Sequence, residues 1–209
     1  MSKNIEVEFI GPITEIRLAE LKEFLEKNGK YIGTRERLSF MYFRDKIPLD
    51  IEEIKNEKID LRLRITNKNA ELVLKYGLFD FVNVRKELSI KFDTNDFEKY
   101  IDMLHYLGWD TGVVYATKVF LYLYKGAEIS LVNIIDYGYN FEIEIISEER
   151  DIETAKKQIS VIMKELSLIT FNKQQLRKQC NEINNNKNLR FDFKRQNFDE
   201  LYRKFKEFF

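Results

Sequence analysis

The stretch "IEVEFIGPITEI", residues 5–16, decides how this chain is read. Ile5, Val7 and Phe9 alternate with Glu6 and Glu8, which is the two-residue period of a strand with one apolar and one acidic face. Glutamate is a poor strand residue, and two carboxylates on one face repel each other. The acidic face is therefore either solvated or built to hold something. After Thr14, "EIRLAELKEFLEKNG" changes to helical spacing, with Leu18, Leu21 and Leu25 in one stripe, Thr14 as cap and Gly29 as stop.

The same strand period recurs downstream, in "RLSFMYF" (37–43), "IDLRLRIT" (59–66), "AELVLKYG" (70–77) and "VRKELSIKF" (84–92). It continues in 112–126, 128–135 and 140–146, with a hairpin turn at Lys125-Gly126. A helix over 95–108 interrupts the strands, and another over 151–169 follows them. Two more helical segments, about 172–184 and 196–208, flank the polar "NNNKN". Arg62 and Arg64 share a face opposite Leu61, Leu63 and Ile65. Lys75 shares one with Glu71 and Val73. Arg85, Glu87, Ser89 and Lys91 stand opposite Leu88, Ile90 and Phe92, and Glu142 and Glu144 stand opposite Phe141, Ile143 and Ile145.

An open sheet showing its charged side to water explains this pattern on its own. Two details weigh against that explanation. Exposed strand faces favour Thr, Ser, Gln and Lys over repeated Glu-x-Glu and Arg-x-Arg, and the pairs here alternate in sign along the chain. A closed barrel with charges in its lumen and apolar faces packed outward against helices accounts for both. Carboxylate pairs suit an octahedral Mg2+ or Mn2+, and arginines suit phosphate oxygens, so a metal-chelated polyphosphate satisfies both signs.

Composition narrows the chemistry. The chain has 209 residues, 44% hydrophobic, with 17 Phe and 11 Tyr against 8 Gly and 2 Pro, so a sizeable core is expected and disorder is not. The 35 basic residues balance 35 acidic ones, which gives no reason to expect DNA or a membrane as partner. One cysteine, Cys180, and one histidine, His105, rule out a disulfide framework and a zinc site of Cys and His. No apolar run approaches the length of a membrane span, and the start does not read as a signal peptide, so a cytoplasmic protein is expected. Residues 169–209 carry ten Lys/Arg against five Asp/Glu and read as helices with a solvated basic face. Trp109 reads as core packing, His105 as a boundary residue and Cys180 as a small apolar helix residue.

The ordered set of motifs resembles the CYTH superfamily, the triphosphate tunnel metalloenzymes. Glu6-Val7-Glu8-Phe9-Ile10 corresponds to the family's Glu-x-Glu-x-Lys, and "MYFRD" weakly to its Tyr-Phe-Asp strand. "LRLRI" (61–65), "LVLKYG" (72–77) and Arg85-Lys86-Glu87 match the next elements, Lys118 remains of a Lys-x-Arg strand, and "GYNFEIE" (138–144) closes the series. The resemblance covers about residues 5–168. It implies an α+β, β-dominated fold: an eight-stranded antiparallel closed barrel with flanking helices over residues 1–168, and a helical extension over 169–209 packed on it.

The resemblance also implies roles. Glu6, Glu8, Glu142 and Glu144 would serve Mg2+ or Mn2+. Arg62, Arg64, Lys75, Arg85 and Lys118 would grip a triphosphate, and Glu87 would orient them or a metal-bound water, with Glu6, Glu8 and Glu87 as the catalytic set. Three positions depart from the family: Ile10 and Phe120 replace cations, and Val132 replaces a metal-associated Asp. If Lys118 points inward, Phe120 and Tyr122 would line the tunnel and stack on an organic moiety. Three functions follow in order: a metal-dependent phosphohydrolase of a triphosphate-bearing small molecule, a degenerate tunnel that only binds an anionic ligand, and a class IV-type adenylyl cyclase using the "RLSFMYF" strand and the acidic loop 45–58 for base selection. A homodimer is compatible with all three.

Overall fold

A computed structural model of the chain describes residues 5–44, 46–50, 58–80 and 82–209. Among the described residues, nine strands form one sheet. The first is β1 (Ile5–Ile13), followed after helix α1 (Glu15–Asn28) by β2 (Lys30–Phe43), β3 (Ile59–Thr66), β4 (Asn69–Tyr76) and β5 (Val82–Phe92). Helix α2 (Phe97–Tyr106) precedes β6 (Thr111–Tyr124), β7 (Ala127–Ile134) and β8 (Gly138–Ser147). Helices α3 (Ile152–Glu165) and α4 (Lys173–Asn185), the short strand β9 (Arg190–Asp192) and helix α5 (Phe198–Lys204) complete the chain. The strand order is β2-β3-β4-β5-β1-β8-β7-β6, and β6 pairs with β2 to close an eight-stranded antiparallel barrel with flanking helices.

Local chemistry sets the corners. Thr14 caps α1 by accepting from the Arg17 amide at 3.1 Å. Lys125 and Gly126, at φ 49° and 80°, make the left-handed two-residue turn that joins β6 to β7.

The chain divides into two compact units, Met1–Arg35, Tyr76–Glu87 and Thr117–Leu176 in one, Glu36–Lys75, Leu88–Ala116 and Arg177–Phe209 in the other. In the first, Leu18, Leu21 and Leu25 of α1 and Ile159, Ile162 and Leu166 of α3 pack on Ile5, Val7, Ile129, Leu131, Phe141 and Ile143 of the strands. Each such fully buried aliphatic side chain contributes about 1.5–3 kcal/mol. In the second, Leu38, Phe40, Tyr42, Leu61, Leu63 and Ile65 pack against Phe97, Ile101 and Leu104 of α2 and against Phe191, Leu201 and Phe205.

The 169–209 segment is divided between the two units. From Arg177 onward it belongs to the second unit, β9 pairs with Thr111–Val113, and Phe191 is core. Trp109 packs on that core as expected. His105 does more than mark a boundary, since its Nδ1 contacts the buried Asp110 carboxylate, which also holds Lys194 Nζ at 3.1 Å.

A candidate carboxylate and phosphate site

Register places the charged side chains. Strand β1 pairs with β8 so that Glu8 faces Glu144 and Ile10 faces Glu142, and with β5 so that Glu8 faces Asn83 and Glu6 faces Arg85. On the next pair, Glu128 of β7 faces Glu144 and Ser130 faces Glu142. Directly paired residues share a face of the sheet. Asn83, Glu8, Glu144 and Glu128 thus form one row across four strands, with Glu6 and Arg85 in the next. The alternate residues Val7, Ile129, Leu131, Phe141 and Ile143 pack on the helices, so the charged face looks into the barrel.

Neither face of β1 is solvated: Glu6 and Glu8 are each 4% exposed. Ligand oxygens of Glu6, Glu8 and Glu144 all lie within 4.8 Å of one another. Like charges this close in a buried place are costly unless a cation relieves them. Part of the relief is built in. Glu8 Oε2 accepts from Asn83 Nδ2 at 2.9 Å and from Arg85 Nη2 at 3.3 Å, with Asn83 and Arg85 both buried. Asn83 Oδ1 also accepts from the Asp80 amide at 2.8 Å, tying the β4–β5 loop to Glu8, and Phe79 of that loop lies 5.5 Å from the Arg85 guanidinium. Three carboxylates without sulfur or imidazole are the donor set of a hard ion such as Mg2+ or Mn2+.

Glu142 lies on the same face as Glu144, opposite Ile10, and outside the three-carboxylate cluster. Glu87 continues the face of Asn83 and Arg85 but is exposed. In the second unit, Arg62 is held by both oxygens of Asp60, at 2.6 and 2.5 Å, and Lys75 is buried. Arg64 is 5% exposed, 4.0 Å from Glu71, and its Nε finds no acceptor among the described residues.

The expected position of Lys118 is corrected by register. Lys118 faces Asn133, Phe120 faces Leu131 and Tyr122 faces Ile129, on the face that packs against the helices. Lys22 of α1 lies 3.8 Å from the Phe120 ring, and Tyr122 donates to Glu26 of α1. Burial, followed by the nearby Glu26 charge, pushes the Tyr122 hydroxyl up to about 12. Phe120 and Tyr122 therefore line the helix interface rather than the lumen. The inward residues of β6 are Val119 and Leu121, and Val132 of β7 faces Val119. Asp45 of "MYFRD" and most of the acidic loop proposed for base selection lie outside the described residues.

Two inward groups escaped the sequence reading. Glu128 stands alone in "EISLV". Arg35 and Arg37 form a second Arg-x-Arg, opposite in alternation to Leu38 and Phe40, and Arg35 Nη1 lies 3.5 Å from Glu128 Oε1.

No family model matches the sequence, and no curated protein matches it. Solved structures do. A conserved hypothetical protein from Pyrococcus furiosus is 21% identical with a TM-score of 0.64, over 81% of this chain and 93% of that one. An adenylyl cyclase candidate from Hippeastrum, described as having a dominant triphosphatase activity, is 15% identical with a TM-score of 0.56, over 84% and 95%. A chain of the Schizosaccharomyces pombe Mediator head module is 11% identical with a TM-score of 0.54, over 80% and 96%. At these identities the likeness concerns the fold. It is the CYTH fold, the triphosphate tunnel. Ile10 and Val132 are apolar positions on the inner face of this barrel.

Proposed function

We propose that the protein is a divalent-metal-dependent phosphohydrolase of a small triphosphate-bearing substrate. The observation that carries the reading is the buried cluster of Glu6, Glu8 and Glu144 with Arg85 at its edge. Bound there, Mg2+ or Mn2+ supplies Lewis-acid polarisation of phosphoryl oxygens and charge for the transferring group. Hydrolysis forms one bond from a water oxygen to phosphorus, breaks one P–O–P bridge and releases the proton of the water. Such a transfer asks the protein mainly for position and charge. Glu6, Glu8 and Glu144 would hold the cation, Asn83 and Arg85 fix Glu8, and Arg85 would add positive charge for a phosphate oxygen. Arg64 and Lys75 are carried as phosphate ligands on the sequence pattern, supported for Arg64 by its buried guanidinium.

A second reading, a tunnel that binds an anionic ligand without turning it over, is favoured by one observation. Val119, Leu121 and Val132 make the β6–β7 wall apolar, and Lys118 is on the other face. Incubation with Mn2+ and tripolyphosphate, ATP or thiamine triphosphate separates the readings. Phosphate release that is lost in Glu6→Ala supports the hydrolase, and cAMP with pyrophosphate would replace it by a cyclase. Thermal stabilisation by triphosphate without any product leaves the binder.

For localisation, no described helix is long and apolar enough to cross a membrane.

A further inference from the structure

We infer that Arg35 is a phosphate-binding residue, the cation that stands in on β2 for those missing from β1 and β6. The inference rests on the triphosphate reading above and adds to it a residue outside the family motifs.

Three observations meet at Arg35. First, the row Glu8–Glu144–Glu128 crosses three adjacent strands on the inward face. Arg85 sits 3.3 Å from Glu8 at one end, and Arg35 sits 3.5 Å from Glu128 at the other. The carboxylate row is bracketed by two guanidinium groups. Second, Tyr31 of β2 lies 5.3 Å ring to ring from Tyr122 of β6. Strand β2, which carries Arg35, pairs with β6. On β6 the inward positions are Val119 and Leu121, and Lys118 is turned to the helices. Third, the two ends differ in access. Arg85 is 2% exposed at its side chain, whereas Arg35 and Glu128 are 38% and 33% exposed.

A phosphate arriving from solvent therefore meets Arg35 first. At 3.5 Å and one-third exposure, the pair with Glu128 is a weak surface ion pair. A triphosphate oxygen, with more negative charge and a bidentate geometry for the guanidinium, competes for it effectively. Release of Arg35 also leaves Glu128 beside Glu144, so the gain is largest when a divalent ion is bound with the phosphate.

The test is calorimetric titration of tripolyphosphate in Mn2+ into the wild type, Arg35→Gln, Arg35→Lys and Glu128→Gln. Losing one charge-assisted contact is expected to weaken binding about 10- to 100-fold in Arg35→Gln. Arg35→Lys is expected to recover part of that loss, and Glu128→Gln, which removes the competing carboxylate, to bind as tightly as wild type or tighter. Mn2+ affinity without phosphate should change by less than about twofold in Arg35→Gln, which separates phosphate binding from damage to the carboxylate cluster. Wild-type binding that persists undiminished in Arg35→Gln overturns the assignment of Arg35 and leaves the triphosphate reading standing. Equal losses of melting temperature in Arg35→Gln and Glu128→Gln, with affinity unchanged in both, make the pair merely structural and overturn it too. Failure of the wild type to bind tripolyphosphate overturns the triphosphate reading, and the assignment with it.

Discussion

Substituting Glu6 by Gln changes one charge and almost no volume, so it isolates the electrostatics of the carboxylate cluster. At the 4.8 Å limit between ligand oxygens, two unit charges interact with about 3.5 kcal/mol at an effective dielectric of about 20. A divalent ion among the three carboxylates loses an attraction of at least that order when one becomes an amide, which is a few hundred-fold in Kd. Take Mn2+ at about 100 times the wild-type Kd, where binding adds about 2.7 kcal/mol to folding stability. For a chain of this length 1 kcal/mol moves the melting temperature by about 2–4 °C, so the wild type should gain about 5–11 °C. In Glu6→Gln the same Mn2+ lies below the new Kd and adds about 0.2 kcal/mol, under about 1 °C. Thermal denaturation with EDTA and with Mn2+ measures all four states. A Glu6→Gln protein that still gains as much as the wild type would refute the placement of the ion among Glu6, Glu8 and Glu144.

Asn83→Ala removes the neutral donor to Glu8 and the acceptor of the Asp80 amide; Mn2+ affinity by titration should fall about 10- to 100-fold, with the far-ultraviolet spectrum unchanged. In Gly11→Ala the new Cβ would lie 2.2 Å from the Ile169 carbonyl oxygen and 2.4 Å from the Phe141 ring, so urea denaturation should show a loss of roughly 1–3 kcal/mol. Burial pushes the Cys180 thiol up to about 12. The unfolded chain gives up that proton near pH 9 while the folded one keeps it, so above pH 9 the unfolded state binds fewer protons and stability falls with rising pH. The slope approaches about 1.4 kcal/mol per pH unit, and the difference between wild type and Cys180→Ser in denaturant midpoints from pH 8 to 10.5 should show it.

The barrel was legible because most strands are apolar on one face only, so alternation sorts inward from outward residues. Glu6, Glu8, Arg64, Glu142, Glu144 and Arg85 were assigned to the charged face on that basis, and the register agrees. Alternation fails on β6, where Val113 and Val114 are both buried, as are Leu121 and Tyr122, because helices cover one side and the barrel interior the other. With both faces apolar, a lone Lys118 has nothing to fix its direction, and it was assigned the wrong one. Arg35 was missed for the opposite reason. The first half of β2 is buried on neither face and carries no apolar alternation, so the strand pattern starts at Arg37 rather than Lys30. Glu128 has no partner two residues along, and its place in the carboxylate row exists only through the pairing of β7 with β8. Strand β9 has three residues, too few for a period to show.

The central claim is hydrolysis of a triphosphate at a divalent ion held by Glu6, Glu8 and Glu144. Phosphorus NMR of tripolyphosphate incubated with the protein and Mg2+ tests it most directly. The account predicts that orthophosphate and pyrophosphate resonances grow together, stop on addition of EDTA and are absent with Glu144→Gln. Tripolyphosphate, ATP and thiamine triphosphate all left intact in Mg2+ and in Mn2+ by a folded protein would contradict it.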